Sequence, residues 1–190
     1  FDKPDPLNGP FFEESLYITP SRLPKQTQDL IITTTAQALS ALGLKDGPVH
    51  AELRINSLGA YVIEVGARTI GGLCARSLQF GTGMGLEEIV LRHTLGLELP
   101  STQREGHASG VMMIPIPEAG ELKAITGEKD ALIVPGIEDV TISIPIGQRL
   151  IQLPEGNKYL GFIFAKAETP ESVEAALREA HRRLAFEISV

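Results

Sequence analysis

Val49-His50-Ala51-Glu52-Leu53-Arg54-Ile55-Asn56, followed by Ser57-Leu58-Gly59 and Ala60-Tyr61-Val62-Ile63-Glu64-Val65-Gly66, is the stretch whose reading decides the fold. It reads as two strands joined by a tight turn. A three-residue hairpin loop commonly ends in a glycine at a left-handed position. Ser57-Leu58-Gly59 fits that form and predicts that Asn56 pairs with Ala60. The same register then sets Glu52 directly opposite Glu64. Directly opposed side chains share a face, with Cβ atoms about 4.5–5.5 Å apart. Two carboxylates at that spacing repel unless a cation lies between them or one keeps a proton. Mg²⁺ accepts one or two protein carboxylates and completes its shell with phosphate oxygens and water. The pair therefore suits a metal–nucleotide site, and a slip of one residue in register would destroy it.

Alternation puts His50, Glu52, Arg54 and Asn56 on one face and Val49, Ala51, Leu53 and Ile55 on the other. A polar face alone is what any strand with one wet side shows. The distinguishing residues follow Glu64. Arg68 offers a planar fork of donors that matches phosphate or carboxylate. Gly71-Gly72 lets backbone amides approach an anion closely.

The rest of the composition narrows the class. The chain has 190 residues, 43% of them hydrophobic, enough for a packed core and for one domain or two small ones. A formal net charge of −7 and the absence of Trp argue against a nucleic-acid surface, which needs a basic footprint and stacking platforms. No run is long enough to span a membrane. The single cysteine, Cys74, excludes an internal disulfide and suits a reducing, cytoplasmic compartment. No nucleophile signature surrounds it, so it reads as a small buried residue.

Hydrophobic periodicity and punctuation predict an α+β chain. Pro and Gly mark an irregular connection from Phe1 to about Phe12, and a strand follows over Glu13–Thr19. A helix is predicted from about Pro24 to Leu42, with Leu30, Ile31, Thr34, Ala38 and Leu42 as its apolar stripe and the glutamate-bearing sheet as its partner. A short helical or irregular stretch is expected near 73–80. Gly81-Thr82-Gly83-Met84-Gly85 lacks the spacing and the lysine of a phosphate loop and reads as a connector. Leu86 to Leu95 is a helix stopped by Gly96, where His93 favours the helix dipole. Near Glu98-Leu99-Pro100 the pattern changes. Strands are expected over His107–Ile116, Gly120–Thr126, Ala131–Val134, Val140–Ile146 and Tyr159–Ala167. A final helix begins at Pro170 behind the N-cap Thr169, with Val173, Ala176, Leu177, Ala180 and Leu184 on its apolar face. Met112-Met113 reads as core, and Arg182-Arg183 as a solvated helix end.

Glu52, Ile63-Glu64, Ala67-Arg68 and Gly71-Gly72 together resemble the final motif of the ATP-grasp superfamily, in which a strand carries a metal-binding acid and the next ends in Glu-x-Asn-x-Arg. The wording Glu-Val-Gly-Ala-Arg with Ile-Gly-Gly nearby resembles the branch of L-amino-acid ligases and related carboxylate–amine ligases. Gly66 departs from the pattern, standing where Asn usually contacts a second metal. The resemblance implies ATP and Mg²⁺ (or Mn²⁺) as cofactors. It implies that Glu52 and Glu64 hold the metal and that Arg68 serves catalysis by holding the transferred phosphoryl group or the substrate carboxylate. Gly71 and Gly72 would help bind the nucleotide phosphates, and His50 and Arg54 would line the substrate cleft. The implied reaction joins a carboxylate, from an amino acid or small acid, to an amine through an acyl-phosphate. A carboxylating or purine-biosynthetic relative and a non-catalytic nucleotide or amino-acid binding module stay open. The implied organisation is the C-terminal portion of an ATP-grasp domain over 1–100, an antiparallel sheet with packed helices, then a small β-rich module with a C-terminal helix over 101–190. The resemblance also implies an upstream part of the same polypeptide bearing most of the ATP site, so that this stretch alone is inactive, and allows a homodimer.

Overall fold

The computed structural model describes residues 1–5, 14–81, 83–152 and 155–189. The expectations for the connection over 6–12, for Glu13, for Thr82 and for Pro154 lie outside the described residues. In chain order the elements are β1 (Leu16–Thr19), α1 (Lys25–Ala41), β2 (His50–Asn56), β3 (Gly59–Gly66), a 3₁₀ turn (Cys74–Ser77), β4 (Gln79–Phe80), β5 (Met84–Gly85), α2 (Leu86–Thr94), β6 (Ala108–Ile114), β7 (Gly120–Thr126), α3 (Glu128–Leu132), β8 (Ile137–Ile142), β9 (Arg149–Leu150), β10 (Gly161–Ala167), α4 (Pro170–Arg183) and β11 (Ala185–Ser189). The architecture is α+β, with antiparallel sheets throughout. The expected division into 1–100 and 101–190 follows sequence order alone. In space the chain gathers into one unit of residues 1–21 with 107–190 and another of residues 22–106.

The first unit is built on a four-stranded sheet in the order β1-β6-β10-β8. β6 is buried along its whole length, as expected of a near-continuous apolar run at the centre of a sheet. Ala108, Met112 and Ile114 join the core that contains Val173 and Leu177 of α4, while Val111 and Met113 are also buried. Gly110 is required here by close packing rather than by its backbone angle. A Cβ at that position would lie 2.7 Å from the Tyr17 carbonyl oxygen and 2.8 Å from Val173 Cγ1.

α4 starts where the sequence says it should. Thr169 Oγ1 accepts a hydrogen bond from the Ser172 amide at 3.2 Å, and Pro170 needs no partner for a missing N–H. Val173, Ala176, Leu177 and Ala180 are all buried. Full burial of Val173 and Leu177 stabilises by about 1.5–3 kcal/mol each. Arg182 and Arg183 both pair with Glu179, and Arg183 also donates to the Asp130 carbonyl at 2.9 Å. The helix end is thus tied locally. At its other side Arg178 bonds Glu174 at 2.8 Å and Asp5 at 2.5 Å, and Asp5 in turn accepts from Ser15.

Several expectations are corrected in this unit. Ala131–Val134 is not a strand: Glu128–Leu132 is a helix, begun by Gly127 in the left-handed conformation at φ +86°. Ala131 and Val134 are buried all the same, so the apolar run was core but its period was too short to tell strand from helix. The strand expected over Val140–Ile146 runs instead over Ile137–Ile142. β11 was not expected. It follows α4 and pairs with β7 in a second sheet of order β11-β7-β9.

The second unit holds α1, the β2–β3 hairpin, the 3₁₀ turn, the short β4–β5 hairpin and α2. α1 lies against β3. Its apolar stripe differs from expectation: Leu30 and Leu42 are exposed, while Ile31, Thr34 and Ala38 are half-buried. The connector from Gly81 to Gly85 enters β5, and Gly81 donates its amide to the Gln103 carbonyl at 2.8 Å. Cys74 is buried within the 3₁₀ turn, where its carbonyl accepts from Ser77 Oγ at 2.7 Å.

Candidate functional site

The hairpin that carries the glutamates is made differently from its sequence reading, yet reaches the expected pairing. The turn has two residues, Ser57-Leu58, not three: Asn56 pairs with Gly59 and Ile55 with Ala60. Asn56 causes the shortening by folding its side chain into the turn, where Oδ1 accepts the Leu58 amide at 2.8 Å. Gly59 follows at φ +150°. Continued unbroken, this register would set Glu52 opposite Ile63. A bulge intervenes instead: Leu53 pairs with Val62, and the next pair is Glu52 with Glu64. Ile63 is the extra residue, so both acids return to one face.

Each acid has its own basic partner. His50 Nε2 lies 2.9 Å from Glu52 Oε1 across the two-residue step of β2. That pair is shielded, with side chains 13% and 20% exposed. Arg68 donates to Glu64 Oε1 at 2.8 Å, and this pair is open, at 51% and 47%. Arg68 also donates to the Thr69 carbonyl at 3.0 Å. Its backbone amide bonds the Gly66 carbonyl at 2.8 Å, a tight turn that swings the side chain back over the end of β3.

Gly66 makes room for that return. A Cβ at residue 66 would stand 3.3 Å from both Cγ and Nε of Arg68. The sequence marks Gly66 only as a departure from a pattern and leaves its steric role hidden. A glycine two residues before an arginine is the signal that could have suggested it.

Arg54 lies on the face of Glu52, opposite Tyr61. Gly71 and Gly72 lie in the irregular segment between β3 and the 3₁₀ turn. Gly72 has φ +61°, a conformation that favours glycine. The space beside Gly71 is open on its Cβ side. The structure thus sets Glu52 opposite Glu64 in the ladder and hydrogen-bonds His50 to Glu52 and Arg68 to Glu64.

Among the described residues, no group of three or more His, Cys, Asp or Glu stands together to hold a metal by itself. Two hard oxygen ligands are what Mg²⁺ takes from a protein when phosphates supply the remainder. The donor set fits Mg²⁺ or Mn²⁺ carried with a nucleotide, and does not fit a closed structural metal site. No helix among the described residues is long and apolar enough to cross a membrane.

Comparison with known proteins matches both parts of the chain. Residues 1–77 match the family model described as ATP-grasp domain, and residues 112–189 match L-amino acid ligase C-terminal domain 2. The uncharacterized protein y4rH of Sinorhizobium fredii is 23% identical over 170 residues, 90% of this chain and 36% of that protein. The crystal structure of an L-amino acid ligase from Bacillus licheniformis is similar with a TM-score of 0.79 and 29% identity, over 96% of this chain and 46% of that one. A phosphoribosylglycinamide synthetase from Anaerococcus prevotii shares the fold, with a TM-score of 0.74 and 16% identity over 93% of this chain and 46% of the other. The chain therefore spans less than half the length of these proteins.

Proposed function

From a chain whose residues 1–77 match the ATP-grasp domain and whose residues 112–189 match the C-terminal domain of L-amino acid ligases, we propose that the full-length protein joins a carboxylate to an amine with ATP. The carboxylate oxygen attacks the γ-phosphorus and ADP leaves. The amine then attacks the acyl carbon of the acyl-phosphate, phosphate leaves and the amine gives up a proton. The carboxylate substrate in this reading is an amino acid or another small acid.

The opposition of Glu52 and Glu64 is the observation that carries the reading. These two acids would hold Mg²⁺ with the nucleotide, and when bound it would neutralise phosphate charge. Arg68 would exchange partners. Its pairing with Glu64 is half-exposed, and such pairs are worth about 0–1 kcal/mol. An incoming phosphate or carboxylate offers the same guanidinium a bidentate partner. Gly71, open on its Cβ side, and Gly72 would offer backbone amides to the phosphates. Catalysis of this kind is positioning and charge stabilisation in a site from which water is excluded.

Gly66, in the place of a metal-contacting Asn, favours a second reading, a binding module without turnover. ADP release by the full-length protein, screened over pairs of amino acids and over bicarbonate, tests both. Release with an amino-acid pair supports the ligase. Release with bicarbonate alone turns the reading to a carboxylating relative, and no release under any condition leaves the binding module.

A further inference from the structure

We infer that His50 is a positioning residue that holds the Glu52 carboxylate in its metal-binding orientation by donating a hydrogen bond from Nε2. The inference rests on the proposed role of Glu52 and assigns His50 a task different from lining the substrate cleft.

The geometry has three parts. His50 and Glu52 occupy the same face of β2 because they are two residues apart. Nε2 and Oε1 are 2.9 Å apart, a hydrogen-bond distance. An ionised carboxylate only accepts, so the hydrogen lies on Nε2. Both side chains are largely shielded, at 13% and 20% exposure. The pairing of Arg68 with Glu64 is half-exposed, at 51% and 47%. The two carboxylates thus differ in how firmly they are held. Arg68 can leave Glu64 for another anion at little cost. The imidazole is shorter and stiffer, and it is anchored on the strand beside the acid it orients. A carboxylate ligand fixed in this way spends less conformational freedom on binding a cation. Hydrogen-bond partners of metal ligands typically change metal affinity about 10–100-fold when removed.

The test is a titration of the full-length protein with Mn²⁺ in the presence of ADP, following the electron paramagnetic resonance signal of unbound Mn²⁺. His50→Phe keeps a ring and loses the donor, and should weaken Mn²⁺ binding about tenfold or more. His50→Gln can still donate from a similar reach, and should stay within about threefold of the parent. Equal affinity in His50→Phe and the parent overturns the inference. So does a loss in His50→Gln as large as in His50→Phe, because the shape of the imidazole would then matter and its hydrogen would not. If His50→Phe does not fold, His50→Asn, whose amide is too short to reach Oε1, takes its place against His50→Gln under the same criteria. Glu52→Gln separates this idea from its premise. Undiminished Mn²⁺ binding in Glu52→Gln removes the metal role of Glu52 and this inference with it. A loss in Glu52→Gln without one in His50→Phe removes this inference alone.

Discussion

Glu52 stands opposite Glu64 only because a bulge at Ile63 makes up for a turn one residue shorter than the glycine pattern predicts. Two like charges facing each other across a hairpin destabilise it. Arg68 and His50 offset part of that repulsion. Glu64→Gln removes one charge and also the partner of Arg68, so in the absence of metal and nucleotide its melting temperature should stay within about 2 °C of the parent. Mg²⁺ with ADP should raise the melting temperature of the parent and leave Glu64→Gln unmoved. ADP release by Glu64→Gln should fall at least about 100-fold. An equal thermal shift in the two proteins would remove Glu64 from the metal site.

Arg68 should matter far more for turnover than for stability. Its ion pair is half-exposed, so Arg68→Ala should cost no more than about 1 kcal/mol in chemical unfolding. Removing a group that stabilises developing charge costs about 10²–10³ in turnover. Arg68→Lys keeps the charge and loses the planar fork, so it should recover only part of that loss. Recovery of full turnover by lysine would show that charge alone suffices.

Gly66 governs where Arg68 rests. A Cβ there would meet Arg68 Cγ and Nε at 3.3 Å, tighter than ordinary contact. Gly66 is not among the glycines with a positive φ, so β3 should accept a side chain without backbone strain. Gly66→Asn is therefore expected to fold, with the guanidinium displaced from Glu64 in its crystal structure. An unmoved Arg68 in that variant would show that the loop yields instead.

What the sequence makes legible follows how local each cause is. α4 is readable because its cap, its first-turn proline and its apolar stripe all lie within Thr169–Leu184. The facing of Glu52 and Glu64 is also reached, but by a path the structure corrects. The Asn56 side chain is folded into a shorter turn, and the bulge at Ile63 restores the register, a pair of offsetting changes that no spacing rule encodes. Ala131–Val134 shows the same limit: four residues are too few for periodicity to separate a strand from α3. β11 is hidden because Ala185–Ser189 follows α4 without a glycine or proline to announce it, and its partner β7 lies far back in the chain. The pairing of His50 with Glu52 could be placed on a face by alternation, but its shielding depends on surrounding packing.

Packing beneath α4 gives a stability prediction independent of the site. A methyl group at Gly110 would stand 2.7 Å from the Tyr17 carbonyl oxygen and 2.8 Å from Val173 Cγ1. One of those atoms belongs to backbone, so the sheet or the helix must shift. Overpacking of this kind costs about 1–3 kcal/mol. Gly110→Ala should then lower the melting temperature by about 2–12 °C. A variant as stable as the parent would mean that α4 moves off the sheet without penalty.

His181 should give the chain a measurable pH dependence near neutrality. It lies in the last turn of α4, where the helix dipole favours a positive ring, but burial is the stronger effect and pushes its pKa below the ordinary 6.5. The unfolded chain therefore binds more protons than the folded one between the lowered value and 6.5, and stability rises with pH across that window. The contribution is fully present above pH 6.5 and is lost as pH falls through the folded value. Asp5 acts later and in the same direction. Burial pushes its carboxyl up, but the Ser15 hydroxyl and Arg178 together outweigh burial and hold it below 3.8. His181→Gln should flatten the slope of unfolding free energy just below pH 6.5, leaving the acid loss below about pH 4 in place. Urea unfolding at half-unit pH steps reads both, and an unchanged slope in the variant would assign the neutral-range dependence to another group.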